Sequence, residues 1–166
     1  MLLDLSKIID VPGASTSFST SLDLSDLRFG SCCPLKTPVT ASGTVRNTAG
    51  VLMTSGTITA RIDGVCDRCA GAFSRDVEEA LEVILVTELA DEDHEDERIF
   101  PLEGNMADMD DIVRTVFILN MDSKLLCSDD CKGLCCRCGK NLNLGKCDCR
   151  KEIDPRFAAL QQLLNK

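Results

Sequence analysis

The chain of 166 residues contains no tryptophan, no tyrosine and a single histidine, His94. Its aromatic side chains are six phenylalanines, which are scattered along the sequence. A base-stacking platform for single-stranded nucleic acid is difficult to build from so few aromatic residues. Since the lone histidine lies within an acidic segment, enzymes of the Ser-His-Asp and Cys-His classes are also poorly supported. The sequence therefore favours a protein that is not an enzyme.

Long hydrophobic segments are also missing. No apolar run approaches the roughly 18 residues that mark a membrane-spanning helix. The segment from Met1 to Lys7 places an acidic residue where an export signal carries positive charge, and no apolar stretch follows it. We therefore expect a cytoplasmic protein without a membrane partner, long enough to form one domain with a hydrophobic core.

The formal net charge is -9, which argues against affinity through general neutralisation of phosphates. Eleven acidic residues and one arginine lie between Glu88 and Asp111, and the run from 91 to 97 is expected to be a solvated loop. Residues 124–156 hold eight basic and five acidic residues. Contact with RNA or a protein partner would thus involve the basic side chains of the tail, unless they serve only solubility. These candidates are Lys132, Arg137, Lys140, Lys146, Arg150, Lys151 and Arg156.

Alternation of apolar and polar residues predicts strands over 39–45 and 58–62, and the run over 81–86, rich in β-branched residues, predicts another. A turn is predicted at 47–50, with Val51 and Met53 resuming the alternation after it. One helix is predicted after a cap at Asp108 or Asp110, and its apolar stripe comprises Ile112, Val113, Val116, Phe117 and Leu119. A second is predicted after Asp154 and Pro155, with Phe157, Leu160, Leu163 and Leu164 on one side.

These elements predict an α+β fold, an antiparallel β-meander or partly open barrel with a few helices and a Cys-rich, zinc-binding C-terminal region. Residues 1–126 would form an N-terminal segment and the sheet core with one helix. Residues 127–166 would form a zinc knuckle and a C-terminal helix packed on that core. The whole chain would be a single compact domain.

Eleven cysteines in a chain without an export signal indicate thiolate chemistry, most often metal binding, rather than disulfides. Eight of them fall into four pairs: Cys66 and Cys69, Cys127 and Cys131, Cys135 and Cys138, Cys147 and Cys149. The C-x-x-C spacing of two pairs lets a tight turn aim both sulfurs at one ion, and a nearby glycine, Gly71 or Gly139, lets the backbone bend. Four pairs suffice for one or two zinc ions held entirely by thiolates, which favours structural over catalytic sites.

The preferred partition joins the last two pairs around one ion, because few residues separate them, and Cys66 and Cys69 with Cys127 and Cys131 around another. Pairing Cys66 and Cys69 with Cys135 and Cys138 is the main competitor. An iron–sulfur cluster would use the same ligands, and Cys66 and Cys69 alone could form a redox-active pair. The remaining thiols have no clear partner; these are Cys32, Cys33 and Cys136.

The combined motifs resemble the bacterial YceD-like family, named for large ribosomal RNA subunit accumulation. The resemblance rests on Cys66 to Phe73 after a β-meander, on the two cysteine motifs within 127–149, and on Asp154 to Phe157, and it spans roughly residues 20 to 165. It implies a cytoplasmic, non-enzymatic factor in large ribosomal subunit biogenesis that supports 23S rRNA accumulation or processing. The implied partner is the pre-ribosomal large subunit, through rRNA or a basic ribosomal protein, and no small-molecule substrate is expected.

Two other functions stay open from the sequence. The first is a thiol redox protein or sensor that uses the pair of Cys66 and Cys69. The second is a metal-delivery protein that exploits the acidic run between residues 91 and 97. The redox function predicts activity without metal, and the delivery function predicts weak, rapidly exchanging metal.

Overall fold

The computed structural model describes residues 1–30, 32–87 and 98–149. Seven strands and one helix lie in these ranges, in the order β1 (Leu2–Asp4), β2 (Ser15–Leu22), β3 (Val39–Thr48), β4 (Val51–Val65), β5 (Ala72–Val86), β6 (Ile99–Pro101), β7 (Met106–Asp108) and α1 (Met109–Asn120). Strands β2 to β5 follow one another as an antiparallel meander, and the short β6 pairs in parallel with β5. Strands β1 and β7 form a separate two-stranded sheet. The protein is thus mostly sheet with one helix among the described residues, and its sheets are open rather than closed into a barrel.

The core lies on one face of the five-stranded sheet. Ile58, Ala60 and Ile62 of β4 are buried as the alternation predicts, and Leu81, Val83 and Leu85 continue the same face on β5. The central strands approach closely at Gly43 and Gly56, where a Cβ on Gly43 would overlap the Ser55 carbonyl oxygen. The neighbouring Phe18 and Leu81 of the flanking strands are both buried, on the two sides of this glycine pair.

The turn between β3 and β4 is shorter than predicted and changes which residues face the core. It consists of Ala49 and Gly50, both at positive φ, as a two-residue hairpin requires. Residues paired across a hairpin share a face of the sheet. Val51 pairs with the exposed Thr48 and therefore points outward, and so does Met53, two residues further along β4. The alternation does resume after the turn, but the buried residues at the start of β4 are Leu52 and Thr54 rather than Val51 and Met53.

Helix α1 covers the core with the predicted stripe, except at its end. The cap is Asp108, whose carboxylate accepts hydrogen bonds from the backbone N–H groups of Asp110 and Asp111. Ile112, Val113, Val116 and Phe117 are buried, but Leu119 is 48% exposed because it falls outside the arc that faces the sheet. The second predicted helix, after Asp154, and the acidic run with His94 lie outside the described residues.

Within the described part of the chain, no helix has the length and apolar character needed to cross a bilayer.

Candidate metal centres

Eight cysteine sulfurs form two groups of four, and we call them the first cluster (Cys66, Cys69, Cys127, Cys131) and the second cluster (Cys135, Cys138, Cys147, Cys149). Within each cluster all four sulfurs lie within 4.8 Å of one another. This grouping is the partition that the sequence favours, and it differs from the competing arrangement, which joins Cys66 and Cys69 to Cys135 and Cys138. All eight cysteines are free thiols rather than disulfides.

The first cluster fastens the tail to the end of the long β4–β5 hairpin. Cys66 and Cys69 lie in the connection between the two strands, while Cys127 and Cys131 follow helix α1. The Sγ atoms of Cys66 and Cys131 are 3.9 Å apart, and those of Cys69 and Cys127 are 3.7 Å apart. Three of these cysteines are buried and Cys127 is half-buried.

These sulfur separations fit a tetrahedral ion. A zinc–sulfur bond of about 2.3 Å places the sulfurs of a regular tetrahedron about 3.8 Å apart. The two separations in the first cluster lie on either side of that value, whereas a disulfide needs a sulfur–sulfur distance of about 2.05 Å. The donor set of four thiols with no histidine or carboxylate is typical of closed structural sites for zinc.

The two C-x-x-C motifs share one backbone conformation. The N–H of Cys66 donates to the Gly71 carbonyl and the N–H of Ala70 donates to the Cys66 carbonyl, at 2.9 and 2.8 Å. The same pair of bonds recurs in the second cluster, from Cys135 to Lys140 and from Gly139 to Cys135, at 2.8 and 2.9 Å. The residue after the second cysteine has a positive φ in both: Ala70 at 54° and Gly139 at 71°. The glycine predicted to bend the first motif, Gly71, is therefore one position too late, and Ala70 bends the chain instead.

This conformation turns backbone N–H groups toward the sulfurs. Burial disfavours the Cys66 thiolate, but backbone N–H groups of Cys127, Arg68 and Cys69 donate to it and lower its pKa to about 6. In the second cluster, the N–H groups of Cys138 and Arg137 lower the pKa of Cys135 to about 6. One thiol in each cluster is thereby prepared for metal ligation as a thiolate.

One other thiol in each cluster has a raised pKa because of a neighbouring sulfur. The adjacent Cys131 sulfur is the main cause that raises the pKa of Cys127 to about 12, and Cys138 has the same effect on Cys149. Four thiolates so close together repel one another unless a cation lies between them. The clusters therefore have the electrostatic signature of a site that needs a positive ion for all four sulfurs to be ionised.

Polar contacts around the first cluster hold the tail in place. Two hydrogen bonds join Leu125 and Asp67. The Asp67 N–H donates to the Leu125 carbonyl at 2.8 Å, and the Leu125 N–H donates to the Asp67 side-chain carboxylate at 2.7 Å. The Arg68 guanidinium donates to the carbonyls of Asp129 and Cys131, at 3.1 and 2.9 Å. Each contact joins the residues between Cys66 and Cys69 to the tail, so the β4–β5 connection and the tail form one unit.

The second cluster is more exposed. Cys138 is exposed and its three partners are half-buried. Among the predicted RNA- or partner-binding residues, Lys132, Arg137, Lys140 and Lys146 are exposed side chains of this part of the tail. The Lys140 ammonium donates to the Lys146 carbonyl at 2.8 Å. Arg150, Lys151 and Arg156 lie outside the described residues, as does the Asp154 to Phe157 motif.

Asn143 is a polar residue of the site that the sequence did not identify. Its side-chain amide N–H donates to the Cys131 sulfur at 3.2 Å, and its carbonyl oxygen accepts from the Lys132 N–H at 2.8 Å. The signal available in the sequence was weak: an asparagine in the short loop between two cysteine pairs is more often a turn residue. Cys32, Cys33 and Cys136 belong to neither cluster, and the latter two are exposed.

The family model for the large ribosomal RNA subunit accumulation protein YceD matches residues 54–164, a range that holds both clusters. The chain is 39% identical over 72 residues to the large ribosomal RNA subunit accumulation protein YCED homolog 1, chloroplastic, of Arabidopsis thaliana, a match that covers 43% of this chain and 22% of the relative. It is 30% identical over 117 residues to uncharacterised proteins of Mycobacterium bovis and Mycobacterium tuberculosis, covering 69% of this chain and 56% of each. The chain thus spans less than two thirds of the length of these relatives, and no solved structure shows a significant match.

Proposed function

This chain belongs to the YceD family of large ribosomal RNA subunit accumulation proteins, and from this membership we propose that it is a non-enzymatic, cytoplasmic factor in large ribosomal subunit biogenesis. Its action would support accumulation or processing of 23S rRNA. The observation that carries the proposal is the family match over residues 54–164, which includes the sheet's last strands and both cysteine clusters.

The cysteine clusters are proposed to hold structural zinc. Cys66, Cys69, Cys127 and Cys131 would hold one ion and Cys135, Cys138, Cys147 and Cys149 a second. Zinc in such sites supplies positive charge and a fixed tetrahedral geometry. The chain's own residues do the rest: backbone N–H groups stabilise the thiolates, and Arg68 and Leu125 dock the tail. Elemental analysis of the purified protein tests this directly: two zinc ions per chain support it, and iron or no metal contradicts it.

A non-enzymatic role is consistent with the geometry of the clusters. A catalytic zinc site keeps a coordination position for water or substrate, whereas four thiolates around one ion leave none. The surface of the tail, rather than reactive chemistry, would then meet the partner, which we propose to be the pre-ribosomal large subunit. Exposed Lys132, Arg137, Lys140 and Lys146 supply positive charge there for rRNA, while the net charge of -9 favours a basic ribosomal protein elsewhere on the surface.

Depletion of the protein in its host tests the role in rRNA accumulation. We expect the ratio of 23S to 16S rRNA to fall and to recover when the wild-type chain is supplied. A variant with Lys132→Glu and Lys146→Glu should restore it poorly if the tail contacts rRNA, since each reversal replaces attraction to phosphate by repulsion. The matched control reverses two exposed basic residues away from the clusters, Lys7→Glu and Arg46→Glu, of which Arg46 pairs with Met53 at the opposite end of β4 from Cys66. An unchanged ratio after depletion contradicts the proposed function.

A thiol redox protein is the second candidate, because the pKa of Cys66 is lowered to about 6 and low-pKa thiols are reactive. Its burial opposes this function, since the side chain is only 1% exposed. Thiol titration with and without a chelator separates the two candidates. A zinc protein releases metal in proportion to the thiols that react, whereas an oxidoreductase retains its activity when metal is removed.

A further inference from the structure

One side chain connects the two clusters. Asn143 lies between Cys138 and Cys147 of the second cluster, yet its amide Nδ2 donates to Cys131 Sγ of the first cluster at 3.2 Å. Its Oδ1 simultaneously accepts from the Lys132 N–H at 2.8 Å, which fixes the orientation of the amide group. Cys131 itself is only 4% exposed, whereas Asn143 is an exposed residue that contacts it from the surface.

The loop that carries Asn143 is shaped by the second cluster. Its two ends are Cys138 and Cys147, whose sulfurs lie within 4.8 Å of each other. Within it, the Leu142 N–H donates to the Gly133 carbonyl at 2.9 Å, and the Asn143 N–H donates to the Asn141 side-chain oxygen at 2.9 Å. The loop is also joined to the preceding segment by a β-bridge between Leu134 and Asn141. Without an ion joining its ends, such bonds alone must hold the loop against its conformational entropy. An ion in the second cluster would restrict the loop further and so hold the Asn143 amide in place.

We propose that Asn143 is a positioning residue through which metal binding at the second cluster strengthens metal binding at the first. The inference rests on the proposal that both clusters bind zinc. Hydrogen bonds to a ligating group orient it and tune its strength as a ligand, and losing one typically weakens metal binding about 10- to 100-fold. Because coupling between two binding equilibria is reciprocal, zinc at the first cluster strengthens the second by the same factor.

The difference in burial between the two clusters predicts the order in which their ions are released. The second cluster is half-buried to exposed, whereas three of the four cysteines in the first cluster are buried. A chelator therefore reaches the second cluster first. Loss of that ion frees the loop, removes the amide from Cys131 and accelerates release from the first cluster. Zinc release should then follow an order, with the buried ion leaving after the exposed one.

The test measures zinc affinity of each cluster by chelator competition on the full chain. We expect Asn143→Ala to weaken the first cluster about 10- to 100-fold. The matched control, Leu144→Ala, removes a side chain of the same loop that is 86% exposed and should leave the affinity unchanged. Disabling the second cluster with Cys147→Ser and Cys149→Ser should weaken the first cluster by a similar factor. In that background Asn143→Ala should have little further effect, because its amide is already out of place.

A spectroscopic readout distinguishes positioning from a general loss of structure. With cobalt in place of zinc, loss of the N–H···S bond raises the energy of the sulfur electrons, so part of the thiolate-to-cobalt charge-transfer band should shift to longer wavelength in Asn143→Ala and stay in place in Leu144→Ala. The coupling would be refuted if Asn143→Ala weakened the first cluster as much in the Cys147→Ser, Cys149→Ser background as in the wild-type chain. An unshifted charge-transfer band would refute it as well, and both results would leave zinc binding intact. A chain that retains no zinc in any variant would instead refute the proposed zinc sites.

Discussion

The shared backbone of the two C-x-x-C motifs allows a reciprocal substitution. Ala70 and Gly139 occupy equivalent positions, each directly after the second cysteine, at φ values of 54° and 71°. Glycine adopts this left-handed region freely, whereas a residue with a Cβ does not. Ala70→Gly should therefore relieve strain in the first cluster, and Gly139→Ala should introduce it in the second.

The size of the effect follows from two opposing terms. The left-handed conformation costs an ordinary residue roughly 1–2 kcal/mol. Replacing alanine by glycine removes this cost, but about 0.5–1 kcal/mol of the gain is offset because glycine loses more conformational freedom on folding. No atom lies within 4 Å of a Cβ built on Gly139, so steric overlap adds nothing there. Ala70→Gly should stabilise the fold by about 0.5–1 kcal/mol, and Gly139→Ala should destabilise its cluster by a similar amount, which is about 2- to 5-fold in affinity.

Urea unfolding of the zinc-loaded chain and chelator competition measure these effects. Ala70→Val serves as the amplified perturbation, because a β-branched side chain tolerates positive φ poorly and should destabilise the fold more than Gly139→Ala does. A destabilising Ala70→Gly, or a Gly139→Ala variant with unchanged zinc affinity, would refute the claim that this one dihedral sets the energy of both motifs.

Three further outcomes are expected. Asn47→Ala should lower the free energy of unfolding by about 3 kcal/mol in urea, because the buried amide bonds to the carbonyls of Ile8 and Ile9 and to the Gly50 N–H, each worth about 1 kcal/mol; an effect below about 1 kcal/mol contradicts this. Leu125→Ala should cost about 2–4 kcal/mol by calorimetry or urea, since its side chain is buried in the main hydrophobic core; a cost as small as that of an exposed leucine contradicts it. In the metal-free chain, the pKa values near 6 of Cys66 and Cys135 lie below the ordinary thiol value of 9.0, so the unfolded state binds more protons and stability should fall as pH is lowered from 9 to 6; constant stability over this range contradicts it.

The predictable parts of the fold are those where side-chain polarity repeats with the geometry. The alternation over 58–62 identifies the buried face of that strand, and the structure confirms it. The strand predicted over 81–86 from its β-branched residues is the end of β5. Strand β2 escaped a firm prediction because Ser and Thr fill most of its positions, leaving Phe18 and Leu22 as its apolar signal. Its place at the sheet edge needs little burial, so its sequence carries little information.

The cysteine grouping was predictable for a different reason. Pairs that are close in sequence close short loops at little entropic cost, which favours Cys135 and Cys138 with Cys147 and Cys149. The residues around the clusters were not predictable. Asn143 and Arg68 act through contacts between segments that only the folded chain brings together. A single polar residue has no period, so no sequence pattern marks its role.

The position of the first cluster explains why metal and sheet would depend on each other. Two strands of fifteen residues, β4 and β5, need a connection that keeps their register, and residues 66–71 provide it. Val65 pairs with Ala72, and directly beyond this pair the Cys66 N–H donates to the Gly71 carbonyl. This six-residue connection also supplies two of the four sulfurs of the first cluster. An ion bound there would hold the hairpin end and the tail together, whereas an ion in the second cluster would close a loop of the tail alone. Loss of the first ion should therefore affect the sheet, and loss of the second should affect mainly the exposed surface of the tail.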